Sequence, residues 1–385
     1  MRAGIPRQSS RPVYSQADYQ AQVIRLDDDV TLHTVEAGDL TAGPANGGLR
    51  IRFYSDDEQA HDDARLLAER MTVKHALYGT GFSGAKIVAR ADPHTVDRQR
   101  LLDAVADVLN ERCGRLYTGC DLNTSAADME TLYKRSKYIL SAMGSAVDPS
   151  LATAHGVFAS TARALGQKLV GSTFLVHGIG KVGAAVARFL VSAGGTVYTY
   201  DSDPKAAVDW CTALPHTAKW WELSVDAVVL CSSSGVVDAR IAEELRASVL
   251  VSAANAPFAS PEVEPCLTRR QVTWVPDVVS NAGAVICDSV EFYNPDAFNS
   301  TVPERLYAFV RNEVDAMTEA YLAQGRGVGT RWPELLRTAR PGADSVCGKR
   351  FSMARDLPSQ IVELSGDQPN SVRSIEPSAV ERLPT

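Results

Sequence analysis

The spacing of apolar and polar residues predicts strands and helices in the first third of the chain. Alternating positions indicate half-buried strands at Val30 to Leu32 and at Leu49 to Phe53, whereas residues 1–28 are polar and without a clear period. Helical periods run from Asp56 through Leu66, Leu67 and Met71 to His75, and over an apolar face between Leu101 and Leu109. This region therefore mixes α and β elements, and no regular structure is predicted for its polar N-terminal arm.

Glycine-rich segments interrupt these elements. Residues 43–48 predict an irregular loop, and residues 79–85 predict a flexible turn that places Lys86 at the junction of a loop and an apolar strand. Lys74 lies on the preceding helix. Ser125 with an acid three residues later predicts a capping box that starts a helix just beyond Asp121.

From the middle of the chain onward, apolar strands alternate with helices. A small, polar linker at 141–150 and a helix from about Ala154 precede predicted strands at 174–176, 197–200, 225–230, 249–251 and 272–275. Such alternation is typical of a doubly wound, mostly parallel sheet. A long helix from Pro303 to Leu322 is expected to return to the first region.

These patterns predict an α/β protein of two domains. Residues 1–145 would form an N-terminal domain that binds substrate and forms the oligomer contacts, completed by helices in 303–352, and residues 146–300 a Rossmann-type doubly wound domain. Residues 353–385 carry several prolines and no sustained period, so a disordered tail is expected.

The segment 173–201 predicts a dinucleotide site. An apolar strand breaks into Gly178, Gly180 and Gly183, a helix follows, and a second strand ends in Asp201, about twenty residues later, where a ribose hydroxyl would bind. An acid at this point favours NAD over NADP. Two later strand ends carry loops with Cys231, Ser232 and Asn255, and ligands of such sheets lie at this edge.

Composition excludes several classes of protein. The chain has 385 residues, 45% of them hydrophobic, with a net charge of −7 and no basic block that would indicate nucleic-acid binding. No apolar run predicts a membrane span or signal peptide, and the seven cysteines show no metal-ligand spacing. A cytoplasmic protein with reduced thiols and no metal site is expected.

Two lysines and an aspartate are candidates for chemistry. An isolated lysine is usually a solvated charge and an aspartate beside a helix start usually a cap, but apolar neighbours would partly desolvate Lys74 and Lys86. A desolvated ammonium near a second cation loses proton affinity and becomes usable as a base near neutral pH.

Together, these segments resemble the glutamate/leucine/phenylalanine/valine dehydrogenase family, whose members oxidatively deaminate L-amino acids with NAD(P), and most closely its phenylalanine/leucine/tryptophan branch. The matching motifs occur in the family's order: Gly-Pro-Ala-Asn-Gly-Gly-Leu-Arg (43–50), Met-Thr-Val-Lys (71–74), Ser-Gly-Ala-Lys (83–86), Thr-Gly-Cys-Asp-Leu-Asn-Thr (118–124), Thr-Ala-His-Gly-Val (153–157), Gly-Ile-Gly-Lys-Val-Gly (178–183), Ala-Ala-Asn (253–255) and Pro-Asp-Val-Val-Ser-Asn-Ala-Gly (276–283).

The resemblance implies roles for individual residues. Lys86 would be the general base that activates water, and Asp121 would relay protons. The residues expected at the substrate are Lys74 at its carboxylate, the backbone of Gly47 and Gly48, and Asn281. Those expected at the cofactor are Gly178, Ile179, Gly180, Lys181, Val182, Gly183, Asp201, Cys231 and Ser232, with Thr153 and Asn255 at the nicotinamide amide. A homo-oligomer built through the N-terminal domain is also implied.

Two departures from the family pattern leave alternatives open. Ser83 stands where the family usually has glycine, and Ala256 where it usually has asparagine; both residues are tolerated wherever φ is negative. Altered rate or substrate fit is therefore expected rather than loss of chemistry. The alternatives are a non-catalytic homologue that binds NAD or an amino acid, and a reductase of preformed imines or hydroxy acids.

Three positions bear on the substrate side chain. Gly119 removes bulk where aliphatic-specific relatives carry a larger residue, and Asn46 stands where glutamate-specific relatives carry lysine. Asp288 would repel an acidic side chain and accept a hydrogen bond from an indole, a phenol or an amine, unless it faces solvent or caps a helix. A bulky aromatic L-amino acid with a polar hydrogen is predicted, with an aliphatic substrate as the alternative.

Overall fold

A computed structural model describes residues 19–38, 43–324 and 346–354 of the chain. Its first sheet has six strands. In chain order they are β1 (Tyr19–Arg25), β2 (Thr31–Ala37), β3 (Ala45–Asn46), β4 (Leu49–Arg52), β5 (Ser83–Arg90) and β6 (Leu116–Tyr117). Strand β5 is central: β2 pairs with it antiparallel, β3 and β4 pair with it in parallel, and β1 forms an edge beyond β2.

Three helices accompany this sheet: α1 (Asp57–Tyr78), α2 (Arg98–Glu111) and α3 (Ala126–Tyr133). Asp56 caps α1, and Ser125 and Asp128 form the predicted capping box of α3. The apolar face of α2 is buried against the sheet, as its period predicts. Helix α1 packs along β2 and β5, so Lys74 and Lys86 come from adjacent elements.

The second sheet is entirely parallel. Its strands are β7 (Thr173–His177), β8 (Thr196–Tyr200), β9 (Thr212–Ala213), β10 (Val225–Leu230), β11 (Ala247–Ser252) and β12 (Thr273–Val275), in the order β12-β11-β10-β7-β8-β9. The helices between them include α5 (Lys181–Ser192), α6 (Ala239–Glu244) and α7 (Val263–Arg269). The strands after β7 are added first on one side of it, as β8 and β9, and then on the other, as β10 to β12. This reversal of strand order confirms the doubly wound α/β fold.

A group of helices joins the two sheets. It comprises α4 (Pro149–Ala164), α8 (Asp277–Ser280), α9 (Gly283–Tyr293), α10 (Pro295–Ser300), α11 (Pro303–Ala323) and α12 (Cys347–Arg350). Helix α11 lies mainly along α4, and the last turns of α1 enter the same apolar core through Val73, Leu77 and Tyr78. Helix α1, which carries Lys74, is therefore packed directly on the elements that carry Asn281 and Asp288.

Several local predictions need correction. Strand β1 lies within the arm for which no structure was expected, and the segment 43–48 contains β3 because its backbone groups pair with β5 and β6. Phe53 lies beyond β4 and is 72% exposed, while α4 begins at Pro149, capped by Asp148. Of the predicted disordered tail, 353–385, Met353 ends a short helical turn that begins at Phe351, and 355–385 lie outside the described residues.

Candidate active site

Lys86 and Asp121 form a buried ion pair. Lys86 lies in the middle of β5, not at the predicted loop junction, and its Nζ is 2.7 Å from Oδ2 of Asp121. Arg50, on β4, donates from Nε to the same oxygen at 3.0 Å and from Nη1 to Asp63 at 3.1 Å. Tyr54 donates to Asp63, which completes a buried polar network.

Burial and charge act in opposite directions on this network. Burial is the largest effect on Lys86 and, with Arg50 nearby, lowers its pKa despite the attraction of Asp121. Burial alone would raise the pKa of Asp121, but Lys86 and Arg50 hold it well below its usual range. Asp121 therefore stays ionised, while Lys86 is held closer to the point at which it can give up a proton.

Lys74 is the second buried amine, with 4% of its surface exposed. Burial, together with the cations of Lys86 and Arg70, lowers its pKa to about 8, and the carboxylates of Asp277 and Asp121 oppose that shift. At neutral pH the lysine remains mostly cationic. It can therefore bind a carboxylate, as the resemblance implies.

The backbone at Gly47 and Gly48 lies against these groups. A Cβ at Gly48 would lie 2.9 Å from Cβ of Asp121 and 3.4 Å from Nζ of Lys86, and one at Gly47 would overlap the carbonyl of Ala85. Side chains are therefore excluded where the chain passes Lys86 and Asp121, which fits the predicted approach of this backbone to the substrate carboxylate.

Asn281 faces the same region from the nucleotide-binding side. Its Nδ2 donates to the carbonyl of Ala253 at 2.7 Å and to Oδ1 of Asn255 at 3.0 Å, while its buried Oδ1 has no hydrogen-bond partner. Thr153 donates to Pro149 and accepts from the N–H of Ala284. The orphaned acceptor of Asn281 fits a ligand with an N–H group, such as an amino group or an amide.

The glycine turn fits a dinucleotide. Gly178 has φ +95°, and a Cβ at Gly183 would lie 1.9 Å from the carbonyl of Gly178, so the first turn of α5 is held close to the strand end. A Cβ at Gly180 would meet nothing within 4 Å, and no side chain caps α5. Exposed Lys181 begins this helix, whose free N–H groups fit a pyrophosphate.

The remaining cofactor candidates lie around this turn. Asp201 accepts hydrogen bonds from the N–H groups of Ile179 at 2.7 Å and Asp203 at 2.9 Å, and it borders a cavity of about 130 Å³. Ser232 bonds to the ring of His177, and Cys231, whose pKa burial raises to about 12, lies beside Gly183. Val182, half-buried, follows on α5.

Asn46 and Asp288 meet across the two regions. Nδ2 of Asn46 donates to Oδ2 of Asp288 at 2.8 Å, and Asp288 lies on α9 as a half-buried side chain. Because Asp288 lies within α9 and contacts Asn46, it does not cap a helix and does not point freely into solvent. Burial, reinforced by Glu291, raises the pKa of Asp288 to about 8, so the carboxyl is mostly protonated at neutral pH.

The argument from Gly119 is wrong in its geometry. A Cβ there would lie 2.3 Å from the carbonyl oxygen of Leu140, so glycine is required by close backbone packing and does not by itself widen a pocket. The assumption about Ala256 also fails, since its φ is +47°, a conformation in which asparagine is tolerated better than alanine. Ser83 is buried and donates to the carbonyl of Gly43.

Sequence reasoning missed four polar residues that surround the lysines. Arg50 pairs with both Asp121 and Asp63, while Arg70 and Asp277 lie beside Lys74. Arg50 gave a signal, because a cation between the apolar residues of a buried strand needs partners. Asp277 gave none, since its partner Arg70 lies 207 positions away.

Membrane-spanning helices and metal-ligand clusters are both absent from the described residues. None of the described helices is long and apolar enough to cross a membrane. Within the same ranges, no three His, Cys, Asp or Glu side chains cluster as metal ligands would, and all seven cysteines are free thiols.

Family models and curated relatives match most of the chain. Residues 38–142 match the model described as "Glu/Leu/Phe/Val dehydrogenase, dimerisation domain", and residues 200–339 match "Glutamate/Leucine/Phenylalanine/Valine dehydrogenase". A phenylalanine dehydrogenase of Caldalkalibacillus thermarum is 30% identical over 66% of this chain and 74% of its own. A leucine dehydrogenase of Geobacillus stearothermophilus is 28% identical over 72% and 79%, respectively.

Solved structures share the fold. An L-tryptophan dehydrogenase from Nostoc punctiforme superposes with a TM-score of 0.60 at 23% identity, over 88% of this chain and 96% of its own. A hetero-hexameric glutamate dehydrogenase from Thermus thermophilus gives 0.66 at 21%, over 91% and 90%. The family models and the curated relatives show that the chain is an L-amino-acid dehydrogenase and belongs to the Glu/Leu/Phe/Val dehydrogenase family, in its phenylalanine/leucine branch.

Proposed function

We propose that the chain catalyses the reversible, NAD-dependent oxidative deamination of a bulky, aromatic L-amino acid to its 2-oxo acid and ammonia. The observation that carries the proposal is the pairing of buried Lys86 with Asp121 at 2.7 Å, beside a second buried lysine. Such a cluster supplies both a fixed cation and a base, and a protein that only binds its ligand needs no base.

The chemistry follows from the positions of these groups. Lys74 holds the substrate carboxylate, and the free Oδ1 of Asn281 accepts from the amino group. Bound NAD would supply the acceptor for the hydride that leaves Cα. Lys86 then removes a proton from water as the water oxygen bonds to the resulting iminium carbon, and Asp121, in contact with Nζ, relays that proton to the amino nitrogen. Lys86 takes the hydroxyl proton as the C–N bond breaks, which leaves the 2-oxo acid and ammonia.

The cofactor proposal is NAD rather than NADP. Asp201 is ionisable and lies where a ribose hydroxyl would be held, and a 2′-phosphate there would meet a second negative charge. Repulsion in a partly buried site amounts to a few kcal/mol at most. Comparison of kcat/KM for NAD and NADP tests this, and equal values would refute it.

The substrate proposal rests on Asn46 and Asp288. Neither is a cation, so a glutamate side chain would lack a counter-charge there, whereas a carboxyl oxygen of Asp288 can accept from an indole N–H or a phenol. Tryptophan or tyrosine should therefore be preferred to phenylalanine.

A panel of L-amino acids with NAD, followed through absorbance of the reduced cofactor, tests the substrate class. The highest kcat/KM is expected for an aromatic substrate, and a best result for glutamate or valine would contradict the proposal. Asp288→Leu should raise kcat/KM for phenylalanine and lower it for tryptophan, while the exposed-site variant Asp226→Asn should change neither.

An aliphatic L-amino acid is the second candidate. The similarity to a leucine dehydrogenase favours it, and Gly119, packed against the carbonyl of Leu140, gives no evidence of a widened pocket. The same panel distinguishes the two candidates, since kcat/KM for leucine would then exceed that for every aromatic substrate.

The matched dimerisation-domain model also supports a homo-oligomer.

A further inference from the structure

Asp277 is a buried carboxylate to which the proposed mechanism gives no role. Its side chain is completely buried at the first position of α8, four residues before Asn281. Oδ1 accepts from Nη1 of Arg70 at 2.9 Å, and Oδ2 accepts from the N–H of Ala256 at 3.3 Å. Asp277 thus contacts both the helix of Lys74 and the residue that follows Asn255.

Arg70 and Lys74 lie one turn apart on α1, so they project from the same face of that helix. Arg70 is partly exposed, with 28% of its side chain accessible, whereas Lys74 is buried. Because water screens the partly exposed arginine, Arg70 offsets only part of the negative charge of Asp277. The remaining negative charge acts on Lys74.

We propose that Asp277 is a positioning residue that keeps Lys74 protonated for the substrate carboxylate, and that Arg70 moderates this effect by binding the same carboxylate. The inference rests on the proposed role of Lys74. It adds an electrostatic link from the nucleotide-binding domain to the carboxylate site.

The charges around Lys74 set the direction of each change. Lys86 and Arg70 are cations that disfavour a third positive charge, Asp277 and Asp121 are anions that favour it, and Asp288 lies within electrostatic range on α9. The neighbouring ring of His75 is neutral, because burial lowers its pKa to about 3. Asp277 is the strongest of the groups that keep Lys74 charged.

Asp277→Asn removes the charge but retains an oxygen for the N–H of Ala256. The pKa of Lys74 should fall by about 1, from about 8. Binding that requires the ammonium is present below this pKa and lost above it, so KM for the amino acid should rise about twofold at pH 7 and about fivefold at pH 8. The value of kcat at saturation and KM for NAD should stay near wild type.

Arg70→Gln should have the opposite sign. It removes a cation and leaves the Asp277 carboxylate to Lys74 alone, so the pKa should rise by roughly 0.5 to 1 and KM should stay low to higher pH. Arg65→Gln is the matched control, since Arg65 lies on the same helix and pairs with Glu69 away from the site. It should leave the pH profile unchanged.

A readout without turnover separates this inference from the proposed function. The full-length protein labelled with ¹³Cε-lysine is titrated by NMR, and the Lys74 resonance is assigned by its absence in Lys74→Met. If wild type turns over no amino acid, the proposed function fails, yet the titrations still test Asp277. Should Asp277→Asn not fold, the Arg70→Gln titration decides.

Opposite shifts of the Lys74 titration in the two variants would support the inference. An unchanged pKa in either variant, or shifts of the same sign, would overturn it. A purely structural role for Asp277 predicts lower thermal stability with an unchanged pH profile, which would also overturn it.

Discussion

Lys86 is the residue on which turnover should depend most. Lys86→Met removes the base but leaves Arg50 bonded to Asp121, so no buried carboxylate loses every partner. We expect kcat to fall about a hundredfold or more with little change in thermal midpoint or NAD affinity. Near-wild-type kcat would show that another group is the base.

Asp121→Asn, in contrast to Lys86→Met, should lower the thermal midpoint, because it leaves the cations of Lys86 and Arg50 together without the carboxylate between them.

Asp288 should make substrate preference depend on pH. Because its pKa is about 8, the carboxyl is mostly neutral at pH 7 and ionised at pH 9, when it accepts an indole N–H more strongly. The ratio of kcat/KM for tryptophan to that for phenylalanine should rise about fivefold over this range. Effects of Lys74 are common to both substrates and cancel. Asp288→Asn should flatten the ratio, and a flat wild-type ratio would exclude contact with the ring.

Ala256 is held in a strained backbone conformation. Its φ of +47° lies in the left-handed region, which an alanine occupies at a cost that glycine avoids. Ala256→Gly should therefore raise the free energy of unfolding by about 1 kcal/mol. In the control Ala162→Gly, within α4, the same replacement should lower it by about 1 kcal/mol. Urea unfolding measures both, and a destabilised Ala256→Gly would contradict the argument.

At the scale of elements, the turn between β7 and α5 combines two kinds of glycine. Gly183→Ala places a methyl group 1.9 Å from the carbonyl of Gly178, so it should lower both thermal midpoint and NAD affinity. Gly180→Ala meets open space at a φ of −75°, so the midpoint should hold while NAD binding weakens. Calorimetry with and without NAD separates the two effects. Equal NAD affinity in wild type and Gly180→Ala would show that the pyrophosphate does not bind at this turn.

At the scale of the molecule, β1 is an open edge strand of the first sheet among the described residues. Strand β1 has one partner strand among the described residues, Val23 on it is 53% exposed, and residues 38–142 match a dimerisation-domain model. We expect light scattering to give a multiple of the 41.4 kDa chain mass. A mass of one chain at micromolar concentration would contradict the homo-oligomer.

Features that depend on residues close together in the chain could be predicted from the sequence. Apolar periods located helix α2 and five of the six strands of the parallel sheet, all but the two-residue β9, and Ser125 with Asp128 located a capping box. The glycine turn with Asp201 indicated a nucleotide site, and ordered motifs identified the family. Each of these signals lies within a few to about twenty residues, which is the range over which local geometry constrains a sequence.

Contacts between side chains that are distant in the chain became known from the packing of the folded protein. Asn46 bonds to Asp288 across 242 positions, and Arg70 to Asp277 across 207. The packing also placed Lys86 inside a strand and turned Gly119 towards Leu140. No local period encodes such contacts, because they depend on how two sheets and their joining helices pack. The pKa values of Lys74 and Asp288 follow from that packing, since burial is the largest cause of both shifts.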